Sequence, residues 1–143
     1  LLLGIDVNCA PVLDIARSTT HRFLRNRCYG FNKSDVISLG RVAYDALKSN
    51  GVFPIIKHMP GHGFASYDSH FELPVIKASK KELLANDFAV FRAFCDAEIA
   101  MSAHVLFEAI DPYSAASTSK KLIDIAPASS NFSSNFTAFS DST

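Results

Sequence analysis

The stretch "GVFPIIKHMPGHGFASYDSH" (residues 51–70) joins a short apolar segment directly to a polar one. Residues 51–58 are rich in Val, Phe and Ile and are typical of a β-strand, although Pro54 cannot donate a hydrogen bond to a neighbouring strand. Three of the chain's five histidines follow within residues 57–70. The polar part is either a surface loop or the working part of a site. Because a loop of about twenty residues in a folded domain is more often functional than idle, its length favours a site.

The same order of strand, polar loop and helix occurs three times along the chain. The first strand is apolar enough to be buried on both faces, as in a parallel sheet that is covered by helices. The strands begin near residues 5, 52 and 99, and this spacing suits βα units with long loops. The predicted strands are residues 4–15, 51–58 and 99–107, the loops are residues 16–31, 59–78 and 108–117, and the helices are residues 32–51, a segment from Ser79 and "SKKLIDI".

Two of the predicted helices have recognisable starts and an apolar stripe. Asn32 can cap the first helix, and Asp35 is favourable in its first turn. Ser79 with Glu82 three residues later forms a capping box for the second helix. The positions expected to be buried are Val36, Leu39, Val42, Ala43, Ala46 and Leu47 in the first helix, and Leu84, Phe88, Phe91 and Cys95 in the second.

Repeated strand–helix units predict an α/β protein with parallel strands. Right-handed connections between such strands give either an open doubly wound sheet or a (βα)8 barrel. A complete barrel takes about 250 residues, so three units make less than half of one. Residues 126–143 are rich in Ser and Asn and lack helical patterning. We interpret residues 1–125 as the domain and residues 126–143 as a degenerate or disordered tail.

The composition indicates a folded domain and argues against some classes of partner. Of the 143 residues, 48% are hydrophobic and 20% charged, which is typical of globular proteins. Lys and Arg together equal Asp and Glu in number, so no basic field favours nucleic acid or an acidic membrane surface. No apolar run approaches the roughly 18 residues of a membrane span. Three widely spaced cysteines predict free thiols in a reducing compartment.

Polar residues gather at the ends of the predicted strands. Asp14, Lys57-His58 and His104 lie at or near the carboxyl ends, where ligands bind in βα folds. Lys57 and His58 could donate hydrogen bonds to a substrate's hydroxyl groups. The more common role of a lysine at a strand end is to cover the sheet while its ammonium group stays in water.

The loops between these strands hold further candidates. In the loop after the second strand, Asp68 could orient His70 and raise its basicity, which would make a proton-transfer pair. A solvated turn is the alternative, because Asp-Ser is common in turns. Gly61 and Gly63 would let the loop approach a ligand closely and swing. In the loop after the first strand, Arg27 could bind a ligand or lie in solvent.

A metal site is another interpretation of the histidines. His58, His62, Asp68, His70 and His104 all have side chains that bind zinc, and three protein ligands are enough for a catalytic zinc. Zinc pairs spaced as His58 and His62 normally share one face of a helix, however. Pro60 makes a helix improbable here, so the metal site is the weaker hypothesis.

Taken together, "KHMPGHGFASYDSHFELPV" resembles the signature of family 3 glycoside hydrolases, in the bacterial β-N-acetylhexosaminidase (NagZ-type) branch. Further segments follow in the family's order over residues 4–125. They are "NCAPVLDI", "NRCYGFNKSDVISLGRVAYDALKSNGVFPIIKH", "MSAHVLFEAIDP" and "STSKKLIDI". The resemblance implies that the chain is a fragment, about three βα units, of a (βα)8 TIM-type barrel.

The same resemblance implies an enzyme that removes terminal β-linked N-acetylglucosamine from muropeptides in the bacterial cytoplasm, without a cofactor. The family retains anomeric configuration through a covalent glycosyl-enzyme. In this branch a His-Asp pair on a loop is the acid/base, which corresponds to His70 and Asp68. Sugar-binding positions correspond to Lys57 and His58, and the family's arginine ligand to Arg27.

The family's nucleophile is an aspartate on the strand after the helix that begins "SKKLIDI". Here the tail "SSNFSSNFTAFSDST" lacks the glycines of that motif, and Asp141 is the candidate nucleophile. The early strands of the family, which supply a substrate-binding aspartate, have no counterpart in the chain. One alternative hypothesis is therefore a non-catalytic remnant of such an enzyme. Another, based on the histidines, is a metal-dependent hydrolase. The partner is a carbohydrate, and the sequence makes no prediction of oligomeric state.

Overall fold

The structure is a computed structural model and describes residues 4–67 and 72–125. Within these ranges there are five strands and five helices, and a strand part followed by a helical part occurs three times. The elements are β1 (Val7–Asn8), α1 (Arg22–Arg25), α2 (Lys33–Ser49), β2 (Phe53–Met59), β3 (Val75–Ile76), α3 (Lys80–Ala85), α4 (Asp87–Arg92), β4 (Ile99–Ser102), β5 (Leu106–Phe107) and α5 (Lys120–Ile125).

All strand pairs in the described ranges are parallel. The main sheet has the order β1-β2-β4, with Ile55 opposite Ile99 in the β2–β4 pair. A second ladder pairs β3 with β5, placing Val75 opposite Leu106. Parallel strands joined by helices confirm the predicted α/β class and its division into about three βα units.

The first strand is much shorter than predicted. Within the predicted strand over residues 4–15, only β1 and an isolated bridge from Val12 to Lys57 contact β2. Residues 4–9 are exposed. Pro11 lies between these two contacts and has no N–H to continue the ladder. The prediction of burial on both faces is therefore wrong for residues 4–9 and correct for residues 11–15, which are buried.

The third strand and the second helix are each divided in two. The predicted strand over residues 99–107 ends at Ser102, and the chain then joins the other ladder as β5. The predicted helix starts as expected, with the Ser79 hydroxyl accepting from the Glu82 N–H at 3.2 Å. It breaks at Asn86, whose φ of −118° and ψ of −84° are not helical. The break changes the buried face, so that Cys95 is exposed and Phe94 is buried.

Helix α2 forms as predicted but buries a narrower stripe. Asn32 caps it by accepting from the Asp35 N–H at 3.0 Å. Val36, Gly40 and Tyr44 are buried, whereas Leu39 and Val42 are 49% and 68% exposed. The helix approaches the sheet most closely at Gly40, where a Cβ would lie 2.6 Å from Leu13 Cδ2. In the described part of the chain no element covers the outer side of α2, so the prediction of burial is wrong for Leu39, Val42 and Ala46.

Two apolar clusters support the two ladders. The first packs the main sheet against α2 and α4, with Leu13, Ile56, Tyr44, Phe91 and Phe94 among its members. The second packs β3 and β5 against α3, α4 and α5, with Ile76, Leu83, Phe88, Phe107 and Leu122 among its members. Since α4 contributes to both clusters, it holds the two ladders in a fixed relation. No helix in the described ranges is long and apolar enough to cross a membrane.

Candidate active site

The candidate site is built around the carboxylate of Asp14, at the carboxyl end of the main sheet. The segment that carries it is held to β2 by the Leu13 N–H, which donates to the Lys57 carbonyl at 2.6 Å. Asp14 is fully buried, and its Oδ2 lies 2.7 Å from Nδ1 of His58. Its Oδ1 accepts from the backbone N–H of His62 at 2.6 Å. One buried carboxylate thus joins the end of β2 to the loop that follows it.

The surroundings of Asp14 determine the charge of its carboxyl group and which nitrogen of His58 carries the proton between the two side chains. Burial favours the neutral acid, but the charges and hydrogen bonds of His58 and His62 outweigh burial and hold the pKa of Asp14 below its usual value. An ionised carboxylate only accepts hydrogen bonds, so Nδ1 of His58 carries the proton that it donates. In the neutral ring, Nε2 of His58 is then an acceptor for a ligand.

A line of ring contacts connects His58 with Arg27. The His58 and His62 ring centroids are 5.5 Å apart, and the Phe23 ring meets His62 edge-on at 6.3 Å. The guanidinium of Arg27 lies 5.3 Å from the Phe23 ring centroid, and its Nε donates to the Phe23 carbonyl at 3.1 Å. The loop after β1 therefore brings its exposed arginine toward the end of β2, although residues 27 and 58 are far apart in sequence.

Residues 61–65 are packed against their surroundings, and the two glycines lie at the tightest of these contacts. A Cβ on Gly63 would lie 2.0 Å from the Ile15 carbonyl oxygen, and one on Gly61 would lie 2.8 Å from Cβ of Asp87. Gly61 also has a φ of +137°, which side chains rarely adopt. These glycines permit close contact between backbone segments, and they fix the base of the loop.

An ion pair between Arg17 and Asp87 lies beside these glycines. Arg17 Nη1 and Nη2 donate to the two carboxylate oxygens of Asp87 at 3.0 and 2.6 Å. Nη1 also donates to the Ile15 carbonyl at 3.0 Å, and the guanidinium carbon lies 3.4 Å from the centroid of the Phe64 ring. Burial raises the pKa of Asp87 above its usual value, and the two hydrogen bonds from Arg17 act in the opposite direction.

The third strand end supplies a histidine with a hydroxyl partner. Nδ1 of His104 lies 3.0 Å from the Ser117 hydroxyl, in the loop that follows β5. The Ala103 N–H donates to the Met59 carbonyl at 2.6 Å, which places this turn beside the end of β2. His104 therefore lies at the same end of the sheet as Asp14 and His58, as expected for the carboxyl ends of parallel strands.

A profile described as "Glycosyl hydrolase family 3 N terminal domain" matches residues 1–142. The chain belongs to glycosyl hydrolase family 3. A family 3 relative, the beta-hexosaminidase of Alkalilimnicola ehrlichii, is 34% identical over 114 residues, which cover 78% of this chain and 32% of the relative. The chain spans about a third of the length of the curated relatives it matches.

Solved structures of family 3 proteins share the fold. The glycoside hydrolase family 3 beta-N-acetylglucosaminidase of Paenibacillus sp. str. FPU-7 has a TM-score of 0.81 at 35% identity, covering 85% of this chain and 24% of that one. NagZ from Neisseria gonorrhoeae in complex with N-trifluoroacetyl-D-glucosamine has a TM-score of 0.78 at 33% identity, covering 87% and 38%. The same Neisseria protein is also known in complex with zinc ion, with a TM-score of 0.75 at 33% identity, covering 85% and 37%. The resemblance to family 3 is thus confirmed.

Some predicted site residues of this family 3 chain lie outside the described residues. Asp68 and His70 belong to residues 68–71, and Asp141 belongs to residues 126–143, so their roles stay predictions. The predicted division at residue 125 also stays a prediction. Lys57 and His58 occupy the end of β2 as expected. Within residues 4–67 and 72–125, no group of three or more His, Cys, Asp and Glu side chains could hold a metal ion.

Sequence reasoning missed the residues that hold this family 3 site together. Asp14 was noticed only for its position at a strand end, and Arg17, Phe23 and Asp87 were not selected at all. The distance in sequence explains this, because Arg17 and Asp87 are 70 residues apart. The available signal was Asp87 itself, an acidic residue in an otherwise apolar helix segment, "DFAVF".

Proposed function

We propose that this family 3 chain is part of an enzyme that hydrolyses terminal β-linked N-acetylglucosamine from cell-wall glycosides. The observation that carries the proposal is the Asp14–His58 pair at the end of β2, beside the base of the loop that leads to His70. Family membership and the relatives named beta-hexosaminidase support the type of bond that is cleaved. The Neisseria relative bound to an N-acetylglucosamine analogue supports the type of sugar.

His58, Lys57 and Arg27 bind the sugar in this proposal. Asp14 holds Nδ1 of His58, so Nε2 is the ring nitrogen left to hydrogen-bond a sugar hydroxyl. Lys57, one residue earlier on β2, donates to a neighbouring hydroxyl, and Arg27 approaches from the loop after β1. Because the end of β2 is held by the Val12–Lys57 bridge on one side and by β4 on the other, the backbone that carries Lys57 and His58 is in place before the sugar arrives.

The chemistry is a double displacement in which His70 transfers the proton. In the first step a carboxylate oxygen, with Asp141 as the candidate, forms a bond to C1 as the C1–aglycone bond breaks. His70 gives its proton to the departing oxygen, and Asp68 stabilises the imidazolium before transfer. In the second step His70 takes a proton from water, the water oxygen attacks C1, and the carboxylate is released. The product is the free sugar with its β-configuration retained.

The direct test is release of 4-methylumbelliferone from its N-acetyl-β-D-glucosaminide. We expect His70→Ala and Asp68→Asn to reduce kcat/KM by about 10²- to 10⁴-fold, the usual contribution of a general acid/base. His58→Ala should reduce kcat/KM by roughly tenfold or less, because it removes one hydrogen bond to the sugar. Proton NMR of the first product should show the β-anomer.

Arg41→Ala is the matched control, since Arg41 on α2 forms an exposed ion pair with Asp96 in the turn after α4, away from the site. Its kcat/KM should stay within about twofold of the original chain. Absence of turnover by folded protein, or an initial α-anomer, would contradict the proposed mechanism. Full activity in His70→Ala would remove His70 from the acid/base role.

The natural substrate and the compartment are part of the same proposal. We propose muropeptides in peptidoglycan recycling as the substrate and the cytoplasm as the compartment. The three free thiols, Cys9, Cys28 and Cys95, are compatible with a reducing environment. Incubation with purified muropeptides and detection of released N-acetylglucosamine by mass spectrometry tests the substrate. Immunoblots of separated cytoplasmic and periplasmic fractions test the compartment.

A metal-dependent hydrolase is the second candidate, and the zinc complex of the Neisseria relative is the observation that favours it. It predicts stoichiometric zinc in the purified chain and loss of turnover with a chelator. The cofactor-free mechanism predicts turnover that a chelator does not reduce.

A non-catalytic remnant is the remaining alternative, and the matched segment of the Alkalilimnicola relative is 32% of that protein. A remnant predicts that calorimetry detects sugar binding while no glycoside is turned over.

A further inference from the structure

The side chain of Arg27 comes just after the short helix α1 and is exposed. Its Nε donates to the Phe23 carbonyl at 3.1 Å, and its guanidinium carbon lies 5.3 Å from the centroid of the Phe23 ring. Residues four apart are neighbours on a helical turn, so both contacts are local. Among the described residues no carboxylate pairs with Arg27, and its two terminal nitrogens are left for a ligand.

The Phe23 ring rests on a buried neighbour. It meets the His62 ring at 6.3 Å with an angle of 83° between the ring planes, and His62 is 3% exposed. The His62 N–H donates to Asp14, and the His62 ring lies 5.5 Å from that of His58. Phe23 therefore lies between Arg27 and a residue that contacts both members of the Asp14–His58 pair.

The backbone that carries Phe23 and Arg27 is fixed independently of the Phe23 ring. Leu24 in α1 is fully buried, and its carbonyl accepts from the Arg27 N–H at 2.9 Å. Just before the helix, the His21 N–H donates to the Ala65 carbonyl at 3.0 Å, which ties α1 to the segment after β2. These bonds set where the Arg27 side chain starts, but they do not set the direction in which it extends.

We propose that Phe23 is a positioning residue whose ring holds the Arg27 guanidinium at a set distance from His58, so that both groups bind the same sugar. The sugar-binding part of this inference rests on the proposed function. The part that concerns the direction of the Arg27 side chain rests on the geometry of its contacts.

The physical reason is the freedom of an arginine side chain. An exposed arginine samples many rotamers, and a ligand that binds one of them has to order the side chain. The face of an aromatic ring attracts a guanidinium within about 6 Å, and a ring packed against a buried neighbour presents that face in a fixed orientation. Phe23 therefore orders Arg27 before the sugar arrives, and the gain appears as tighter binding.

The test removes the ring from the full chain and keeps the backbone. Phe23→Leu and Phe23→Met both leave the carbonyl that accepts from Arg27 Nε, whereas Phe23→Tyr keeps an aromatic ring. Phe31→Leu is the matched control, because Phe31 is 70% exposed in the same loop after β1. Arg27→Ala, alone and combined with Phe23→Leu, completes a double-mutant cycle.

The first readout is the motion of the Arg27 side chain, measured by NMR relaxation of its Nε–H group, and it does not depend on activity. We expect an order parameter of about 0.8 in the original chain, in Phe23→Tyr and in Phe31→Leu. In Phe23→Leu and Phe23→Met it should fall below about 0.6, the range of flexible groups. Hydrogen exchange at the Val36 amide in α2 reports on the global fold, and it should be the same in all variants.

The second readout is the dissociation constant of N-acetylglucosamine, the product of the proposed reaction, from NMR titration. Phe23→Leu should weaken binding by about fivefold, because the ring contact and the ordering of one long side chain each contribute a few fold. Phe23→Tyr and Phe31→Leu should bind within about twofold of the original chain. In the Arg27→Ala background, Phe23→Leu should weaken binding by less than about twofold, since the ring then has no guanidinium to hold.

Each result decides the inference. An Arg27 order parameter that is the same without the Phe23 ring overturns it. An effect of Phe23→Leu on binding that is equal with and without the Arg27 side chain, or an equal effect of Phe31→Leu, shows a structural role only and also overturns it. If the original chain binds no N-acetylglucosamine, the sugar-binding part of the proposed function fails, and the order parameters alone then decide whether Phe23 directs Arg27.

Discussion

At the scale of single residues, Asp14 determines how the end of β2 is arranged. Its carboxylate accepts from the His58 ring at one oxygen and from the His62 N–H at the other. The first contact sets the tautomer of the residue that we propose binds sugar, and the second fixes the start of the loop. A buried acidic side chain that satisfies two donors is costly to remove, because both donors then lose their acceptor.

We expect Asp14→Ala to lower the free energy of unfolding by about 3 kcal/mol at pH 7, measured by urea denaturation. Asp14→Asn, which keeps the size of the side chain, should lower the free energy of unfolding by less. Because the folded-state pKa of Asp14 is lowered, its carboxylate stabilises the fold above the unfolded-state pKa. That contribution is lost as the pH falls through the folded-state value. The difference between the original chain and Asp14→Asn should therefore shrink from pH 7 to acidic pH.

Asp45→Asn is the control for this titration, since Asp45 is exposed and lies 3.9 Å from Arg41. It should change stability by less than about 0.5 kcal/mol at any of these pH values. A difference between Asp14→Asn and the original chain that stays constant down to low pH would contradict the role assigned to the Asp14 charge.

At the scale of elements, local sequence determines where helices begin, and packing determines where they bend. Both predicted caps form, at Asn32 and at Ser79. The break at Asn86 separates α3 from α4, and it places Asp87 on the first turn of α4, where its carboxylate meets Arg17. Phe88 and Phe91 then enter the two different apolar clusters. The break thus serves both the core and the ion pair.

We expect Ser79→Ala to lower the free energy of unfolding by about 1 kcal/mol, because the Glu82 N–H loses its acceptor. The measurement is chemical denaturation monitored by circular dichroism. Ser34→Ala, on the exposed first turn of α2, is the matched control and should change stability by less than about 0.5 kcal/mol. Equal effects of the two substitutions would show that the Ser79 cap contributes nothing specific.

At the scale of the whole molecule, one side of the described structure has an uncovered apolar surface. Along the β1 edge Ile5, Val7 and Phe53 are 49%, 49% and 53% exposed. Next to them, a groove of about 410 Å³ between β1 and α2 is lined by Ala43, Ala46 and Leu47, among others. An open strand edge beside apolar surface is a common site of association between chains.

We therefore expect the chain to self-associate with rising concentration, measured by sedimentation velocity. Val42→Lys should reduce association, because a charge on α2 has to be desolvated when this surface is covered. Tyr113→Lys is the control, since Tyr113 is 90% exposed in the loop after β5 and lies on another element. A monomer at all concentrations, or equal effects of the two substitutions, would contradict this expectation.

The sequence alone determined the class of the fold and the family. Apolar runs followed by capped helices predict parallel βα units, because strand and helix periodicities are local properties of the chain. The motif "KHMPGHGFASYDSH" identified the family, and the end of β2 lies where its strand pattern predicted. The predictions failed where local patterns are ambiguous. They missed the interruption at Pro11, the break at Asn86, the exposed side of α2 and the close packing around Gly61 and Gly63.

Only the tertiary structure decided which residues meet. It brought Asp14 to His58 and Arg17 to Asp87, pairs that no spacing in the sequence connects. It also showed that Gly61 and Gly63 allow close packing between backbone segments. The physical reason is that burial and hydrogen bonding between distant segments depend on how the elements pack, whereas helix and strand formation depend mainly on neighbours in the chain.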